Sequence, residues 1–294
     1  MTLSKELNLL RDYFSVRESL ISFLREDLGA GDITSSAIIG NKLLKSATVL
    51  CKEETPVVIA GLEEAELIFE ICNCTANCLV KDGAIVTKGK TVLMIQGEAK
   101  NILKAERTAL NFLMRMSGIA TETKRYVNAV NEISNDIKIL STRKTAPGLR
   151  YFDKKAVKIG GGYPHRKSLD DMVLIKDNHI ALTGRVKNSV LNARKSVGKG
   201  IKIECEVSNI NAAIEAIHSG ANIIMLDNFS PSEVKHAIRK LETMGLRQRS
   251  LIEVSGGVKL NNIREYAQAM PDMISLGALT HSVKSADFSL DIKA

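Results

Sequence analysis

The chain is 294 residues long with a formal net charge of +8, and its 45% hydrophobic and 25% charged residues suit a globular α/β domain or a barrel with a smaller companion. Trp is absent and aromatics are only 4%, so stacking platforms for single-stranded nucleic acid are not expected. The basic residues are spread along the chain rather than gathered in a tail, which favours a small, multiply charged anion as partner over nucleic acid or a membrane.

Residues 6–28 read as a helix, with Leu9, Leu10, Tyr13, Phe14, Leu20, Ile21 and Leu24 at helical spacing. The opening stretch is charged and amphipathic, unlike a secretory signal, and no run has the length of a membrane-spanning helix. Gly29-Ala30-Gly31-Asp32 ends the helix and opens a new turn. A short strand is expected at 48–52, broken by Thr55-Pro56, then a helix at 61–72. From 74 to 97 the pattern is short strands and turns, punctuated by Asp82-Gly83 and Lys88-Gly89. Together these make an N-terminal α+β unit. Residues 99–120 predict a strong helix with the stripe Leu103, Leu110, Leu113 and Met114, and a second helix runs to about 133.

From there the character changes. Seven short β-type runs alternate with helices or loops, at 137–141, 156–159, 172–175, 201–207, 222–226, 250–254 and 273–276. They predict repeated βα units and a parallel sheet or barrel. The expected division is an N-terminal α+β domain over 1–120 and a catalytic barrel over 121–281, with a tail at 282–294 packing back on the first domain. The five cysteines, Cys51, Cys72, Cys74, Cys78 and Cys205, are an odd set without a signal peptide, which predicts reduced thiols and a cytoplasmic protein. Cys72, Cys74 and Cys78 cluster without a second Cys pair or paired histidines, and read as plain thiols rather than a metal site.

Buried parallel strands are usually apolar throughout. Several of these are not. In Lys202-Ile203-Glu204-Cys205-Glu206, alternation puts the two glutamates and Lys202 on one face. Asp227 ends the next run, Glu253 and Ser255 share a face of the one after, Lys176 ends another, and Arg143-Lys144 follow the first. A single strand-end charge is most simply a solvated one. Five units with the same feature predict a barrel mouth in which Arg143, Lys144 and Lys176 face Glu204, Glu206 and Asp227. The cations suit carboxylates or phosphates, and the acids a divalent metal or sugar hydroxyls. Glycines at 160–162, Gly256-Gly257 and Gly277 are expected at the same ends, letting backbone N–H groups approach an anion.

The segment Thr142-Arg143-Lys144-Thr145-Ala146-Pro147-Gly148 resembles a signature of the quinolinate phosphoribosyltransferases. Glu106-Arg107-Thr108, His165-Arg166, Leu174-Ile175-Lys176-Asp177-Asn178-His179, Leu226-Asp227-Asn228, Glu253-Val254-Ser255-Gly256-Gly257 and Ser275-Leu276-Gly277-Ala278-Leu279-Thr280-His281 match in order, and Asp27 to Thr34 resembles the family's opening motif. The resemblance implies an N-terminal α+β domain, an incomplete α/β barrel of about seven strands, and a homodimer in which Arg107 reaches the neighbouring active site. It implies phosphoribosyl transfer from phosphoribosyl pyrophosphate (PRPP) to quinolinate with decarboxylation, giving nicotinate mononucleotide for NAD biosynthesis, with Mg²⁺ and no organic cofactor. Carried over by position, Arg107, Arg143, His165, Arg166 and Lys176 hold the acid. Lys144, Glu206, Asp227, Ser255, Gly256, Gly257, Gly277 and His281 line the PRPP site, with Glu206 and Asp227 toward Mg²⁺. Lys144, Lys176, Glu206 and Asp227 are the implied catalytic groups.

Two positions depart from the family pattern: Ser141 stands where an Asp commonly precedes the signature, and Pro164 where an Asn precedes His-Arg. A proline there is similar to a paralogous group associated with molybdate transport, although Lys176-Asp177-Asn178-His179 keeps the quinolinate form. A nicotinate phosphoribosyltransferase needs one carboxylate anchor rather than two. A non-catalytic nucleic-acid binder leaves the acids at successive strand ends without a purpose.

Overall fold

The structure is a computed structural model that describes residues 3–198 and 200–293, with side chains from residue 15 onward. The chain divides into two compact units: one runs to Thr121 and resumes at Lys284, the other is Glu122–Val283.

The first unit opens with α1 (Leu3–Leu28) and α2 (Ile33–Ile38), the latter capped by the Asp32 carboxylate, which accepts from the Ser35 N–H at 2.9 Å. Leu20 and Leu24 are buried, while the side chains of Leu9, Leu10, Tyr13 and Phe14 lie outside the described residues. Then come β1 (Leu44–Cys51), β2 (Val57–Val58), α3 (Leu62–Ile71), β3 (Thr75–Cys78), β4 (Ile85–Val86) and β5 (Thr91–Glu98). A four-stranded antiparallel sheet has the order β12-β1-β5-β3, where β12 (Phe288–Ile292) returns from the far end of the sequence to pair with β1. Strands β2 and β4 form a separate pair.

The two helices expected between 99 and 133 are one, α4 (Ala99–Asn131). Ser117-Gly118, near the expected end of the first of these helices, is a packing device. Ser117 is fully buried, with its Oγ accepting from the Ala60 N–H and donating to the Ala60 carbonyl. A Cβ on Gly118 would lie 2.2 Å from the Lys284 carbonyl oxygen, so only glycine admits the C-terminal segment there.

The second unit is built of βα steps: β6 (Lys138–Ser141), α5 (Arg150–Ile159), β7 (Val173–Ile175), α6 (Asp177–Thr183), α7 (Val186–Ser196), β8 (Ile203–Val207), α8 (Ile210–His218), β9 (Ile223–Asp227), α9 (Pro231–Thr243), β10 (Leu251–Ser255), α10 (Ile263–Ala267), β11 (Met273–Leu276) and α11 (Ala278–His281). The strands form a parallel six-stranded sheet of order β6-β11-β10-β9-β8-β7. The chain therefore follows the sheet around, and β6, the first strand, closes against β11, the last.

One of the seven expected strands is absent: residues 156–159 lie in α5. Phe152, Ala156 and Val157 are buried at helical spacing, and a four-residue apolar run cannot by itself separate helix from strand. The seventh place is taken by a single residue, Tyr163, bridged in parallel to Leu140. The barrel is thus incomplete between Tyr163 and β7. Gly160 to Gly162 also differ from expectation, because they lead into this bridge rather than out of a strand end. A Cβ on Gly162 would meet Thr123 at 2.8 Å and Val157 at 2.9 Å, so the glycine serves close packing rather than anion binding.

Candidate active site

Period-two alternation fixes what each strand sends into the barrel. On β8, Ile203, Cys205 and Val207 alternate with Glu204 and Glu206. On β9 the first four residues are buried and Asp227 is left half-buried at the C-terminal end. These ends, and the loops after them, surround a cavity of about 470 Å³. Its lining includes Arg143, Lys144, His165, Arg166, Lys176, Glu206, Asp227, Ser255 and Gly256, which lie far apart in sequence. Gly277 adjoins it, since a Cβ there would touch Lys144 Cδ at 3.0 Å and His281 Nε2 at 3.1 Å.

Each side chain has a local reason to be where it is. Lys144 follows the turn made when its N–H donates to Thr142 Oγ1, and its carbonyl accepts from Thr280 Oγ1 at 2.9 Å. Arg166 is largely buried, donates to the Met172 carbonyl at 3.1 Å, and lies near enough to Arg143 that burial and the second guanidinium both lower its pKa. Arg143 Nε is buried with no hydrogen-bond partner among the described residues. Lys176 Nζ donates to Glu206 Oε2 at 2.6 Å. Asp227 accepts from Asn228 Nδ2 at 2.6 Å, and burial followed by the charge of Glu206 raises its carboxyl pKa. Asn228 has φ 57° and its N–H donates to the Ser255 carbonyl at 2.8 Å, which ties the ends of β9 and β10 together. His281 Nδ1 lies 2.7 Å from Ser282 Oγ.

The arrangement is bipolar. Arg143, Arg166 and His165 gather cationic character at one part of the lining, while Glu206 and Asp227 carry carboxylates at another, with Lys176 bound to the first acid. Hard oxygen donors of this kind suit a divalent cation such as Mg²⁺. Asp227, whose pKa burial and the charge of Glu206 raise, is better stabilised as a carboxylate when a cation lies between the two acids.

One expectation needs correction. Glu204 is not at the mouth: it is fully buried on the barrel floor, where its Oε2 lies 3.0 Å from His165 Nε2. Alternation gave the correct face but not the depth. Gly257 has φ 66° and is exposed just beyond the lining, with open space where a Cβ would be. Arg107 lies on the exposed side of α4, in the other unit.

Sequence reasoning missed Lys154. It is buried on α5, and its Nζ donates to the Ser141 carbonyl at 3.3 Å, Ser141 Oγ at 2.9 Å and the His165 carbonyl at 2.6 Å. It clamps the end of β6 to the loop that carries His165 and Arg166. A lysine on an amphipathic helix reads as surface charge, so no pattern marked it. Glu253, noted only for its face, is fully buried on β10 beside His165, 3.7 Å from Nε2. Ligand atoms of His165, Glu204 and Glu253 all lie within 4.8 Å of one another. The cysteines form no such group among the described residues, and burial pushes the Cys74 thiol to about 11 and the Cys78 thiol to about 12.

Comparison with known proteins agrees with this geometry over nearly the whole chain. The quinolinate phosphoribosyl transferase N-terminal domain matches residues 32–117 and the corresponding C-terminal domain matches 119–291. A probable carboxylating nicotinate-nucleotide pyrophosphorylase of Methanocaldococcus jannaschii is 43% identical over 286 residues, covering 97% of this chain and 99% of that one. One of the same name from Methanothermobacter thermautotrophicus is 40% identical over 270 residues, covering 92% and 96%. The crystal structure of NadC from Streptococcus pyogenes superposes with a TM-score of 0.88 at 38% identity, over 95% of this chain and 97% of that one. With both halves matched and the barrel-mouth residues in place, the chain belongs to the quinolinate phosphoribosyltransferase family.

Proposed function

We propose that this protein transfers the phosphoribosyl group of PRPP to the ring nitrogen of quinolinate and releases pyrophosphate and CO₂, yielding nicotinate mononucleotide. The observation that carries this reading is the bipolar cavity at the strand ends: a pyridine dicarboxylate needs several cations, and a ribose diphosphate needs both acids and cations.

Arg143, His165, Arg166 and Lys176 hold the two carboxylates of the acid. Arg107 of a second copy completes that cluster in a homodimer. Lys144, Ser255, Gly256, Gly277 and His281 receive the phosphates of PRPP, and Glu206 and Asp227 face the ribose hydroxyls. Mg²⁺, when bound near Glu206 and Asp227, supplies charge neutralisation of the pyrophosphate. The reaction begins as the bond from ribose C1 to the pyrophosphate oxygen breaks, with the electron pair leaving on that oxygen. Lys144 stabilises the leaving charge, and the carboxylates of Asp227 and Glu206 stabilise the positive charge that develops on the ribose. The ring nitrogen, held in line by the carboxylate anchors, forms the new bond to C1. The ring is then cationic, so the bond to the adjacent 2-carboxylate breaks, its electron pair stays on the ring carbon, and a proton from solvent completes the product. A cytoplasmic location fits five free cysteines. No helix among the described residues is long and apolar enough to cross a membrane.

The test is direct. The protein is mixed with quinolinate, PRPP and Mg²⁺, and nicotinate mononucleotide and CO₂ are quantified, with nicotinate run in parallel. Product from quinolinate alone is expected. Product from nicotinate alone overturns the two-carboxylate reading, and no product from either overturns the transferase reading.

A further inference from the structure

His165 sits between the cavity, which its ring helps to line, and two acids beneath it. Glu204 on β8 and Glu253 on β10 flank β9 from either side and are both fully buried. Such carboxylates are costly unless a cation or proton meets them. Glu204 Oε1, both Glu253 oxygens and the buried Ser275 Oγ have no hydrogen-bond partner among the described residues. The cation-forming group that pairs with these acids among the described residues is His165, whose Nε2 is 3.0 Å from Glu204 and 3.7 Å from Glu253, with the charge of Arg166 also near Glu204.

Lys154 also faces the histidine, its ammonium binding the His165 backbone carbonyl rather than the ring, and Arg143 and Arg166 share the cavity lining with it. Burial alone would push His165 toward neutrality, but the hydrogen bond to Glu204 and the charges of Glu253 and Glu204 outweigh burial and Lys154, and the net shift is upward. Burial and the neighbouring Glu204 in turn raise the Glu253 carboxyl, so Glu204, which bonds the ring directly, carries the larger part of the pairing. Ring Nδ1 has no partner among the described residues. On a neutral ring with Nε2–H directed at Glu204, Nδ1 is an acceptor and repels a carboxylate; on a protonated ring it is a second donor.

We propose that Glu204 and Glu253 are positioning residues that keep His165 an imidazolium and present its Nδ1–H to the cavity, as a fixed cation for one carboxylate of the acid substrate. This rests on the dicarboxylate reading of the site. An ordinary histidine loses its charge near neutral pH. Held against these buried acids, His165 keeps it. Glu204 and Glu253 are fully buried, Glu253 at the floor of the cavity, and both act through the ring.

The experiment is ring ¹⁵N NMR of the full chain at about pH 7.5, where an unperturbed histidine is neutral. His165 is identified among the five histidines by the loss of its signals in His165→Gln. Both ring nitrogens of His165 are expected to carry protons. In Glu204→Gln and Glu253→Gln, which conserve volume, the ring should revert to a neutral tautomer. The KM for quinolinate should then rise roughly 10- to 100-fold while kcat and the KM for PRPP change little. Thermal unfolding checks that each variant folds, and either variant alone suffices. A neutral His165 in the unmodified protein overturns the proposal, as does an imidazolium that persists in both variants. If the protein turns over no quinolinate, the functional reading fails but the NMR result still decides the charge state.

Discussion

Lys154 offers a quantitative test of how the site is held together. Burial, followed by repulsion from Arg150, lowers its pKa from 10.5 to about 8, with Asp153 and Asp171 offsetting only part of that. The folded amine therefore gives up its proton well before the unfolded one. Below about pH 8 both states are charged and folding bears the full cost of burying the ammonium. Between about 8 and 10.5 the unfolded state binds more protons than the folded state, so stability rises with pH. At about 1.4 kcal/mol per pKa unit, the rise across this window approaches about 3 kcal/mol for a group this buried. The perturbation is Lys154→Met, which keeps the length of the side chain and removes the titration. The assay is urea unfolding of both proteins at intervals from pH 7 to 10.5. Other groups that titrate in this range, such as the thiols of Cys51 and Cys72, are common to both proteins and cancel in the difference. The stability of the unmodified protein relative to the variant should climb with pH by a substantial part of that figure. Parallel profiles would refute the assignment of a strained, buried ammonium.

Gly256 has φ 85°, and a Cβ there would lie 2.2 Å from Asn228 Oδ1, so Gly256→Ala should displace the amide that orients Asp227. Steady-state kinetics should show kcat/KM for PRPP falling about tenfold or more, and unchanged kinetics would count against Asp227 as a PRPP contact. Gly118→Ala sets a methyl against backbone atoms of Lys284 and should cost about 1–3 kcal/mol in chemical denaturation. Lys176→Met leaves Glu206 without its cation and removes an anchor for the acid, so kcat/KM for quinolinate should fall roughly 100-fold.

The parts of this architecture that a sequence can carry are those written in periodicity. Acids and cations at the ends of successive β-runs placed the site, because period-two alternation and the parallel barrel together leave only one end for them. Six of the seven runs are strands for the same reason. The seventh failed because four apolar residues fit either period, and its actual occupant, Tyr163, makes one bridge and leaves no pattern at all. Continuity of α4 through Ser117-Gly118 depends on what packs there: Ala60 in one direction and Lys284 in the other, both distant in sequence. Depth is equally illegible. Glu204 and Glu206 are identical residues two positions apart on one strand face, yet one is sealed beneath His165 and the other meets Lys176 at the cavity. Only the assembled barrel distinguishes floor from mouth.

The departure at Ser141 can now be given a physical meaning. The residue is fully buried and its hydroxyl accepts from Lys154, so this chain binds a buried ammonium with neutral acceptors and has no ion pair to it among the described residues. Pro164 has no N–H to donate, and the His165 N–H reaches only back to the Tyr163 carbonyl, so the Lys154 clamp is what ties the His165 carbonyl to the end of β6. Ser141→Asp would set a carboxylate against that ammonium. The folded pKa of Lys154 should then return toward its ordinary 10.5, the unfolded and folded states should lose their protons together, and the rise in stability above about pH 8 should vanish. The same variant combined with Lys154→Met would bury a carboxylate with no cation and should be destabilised by about 3–5 kcal/mol relative to Ser141→Asp alone. If the single variant keeps the full pH-dependent rise, the side chain at 141 does not control the charge of Lys154, and the clamp is held by the two backbone carbonyls alone.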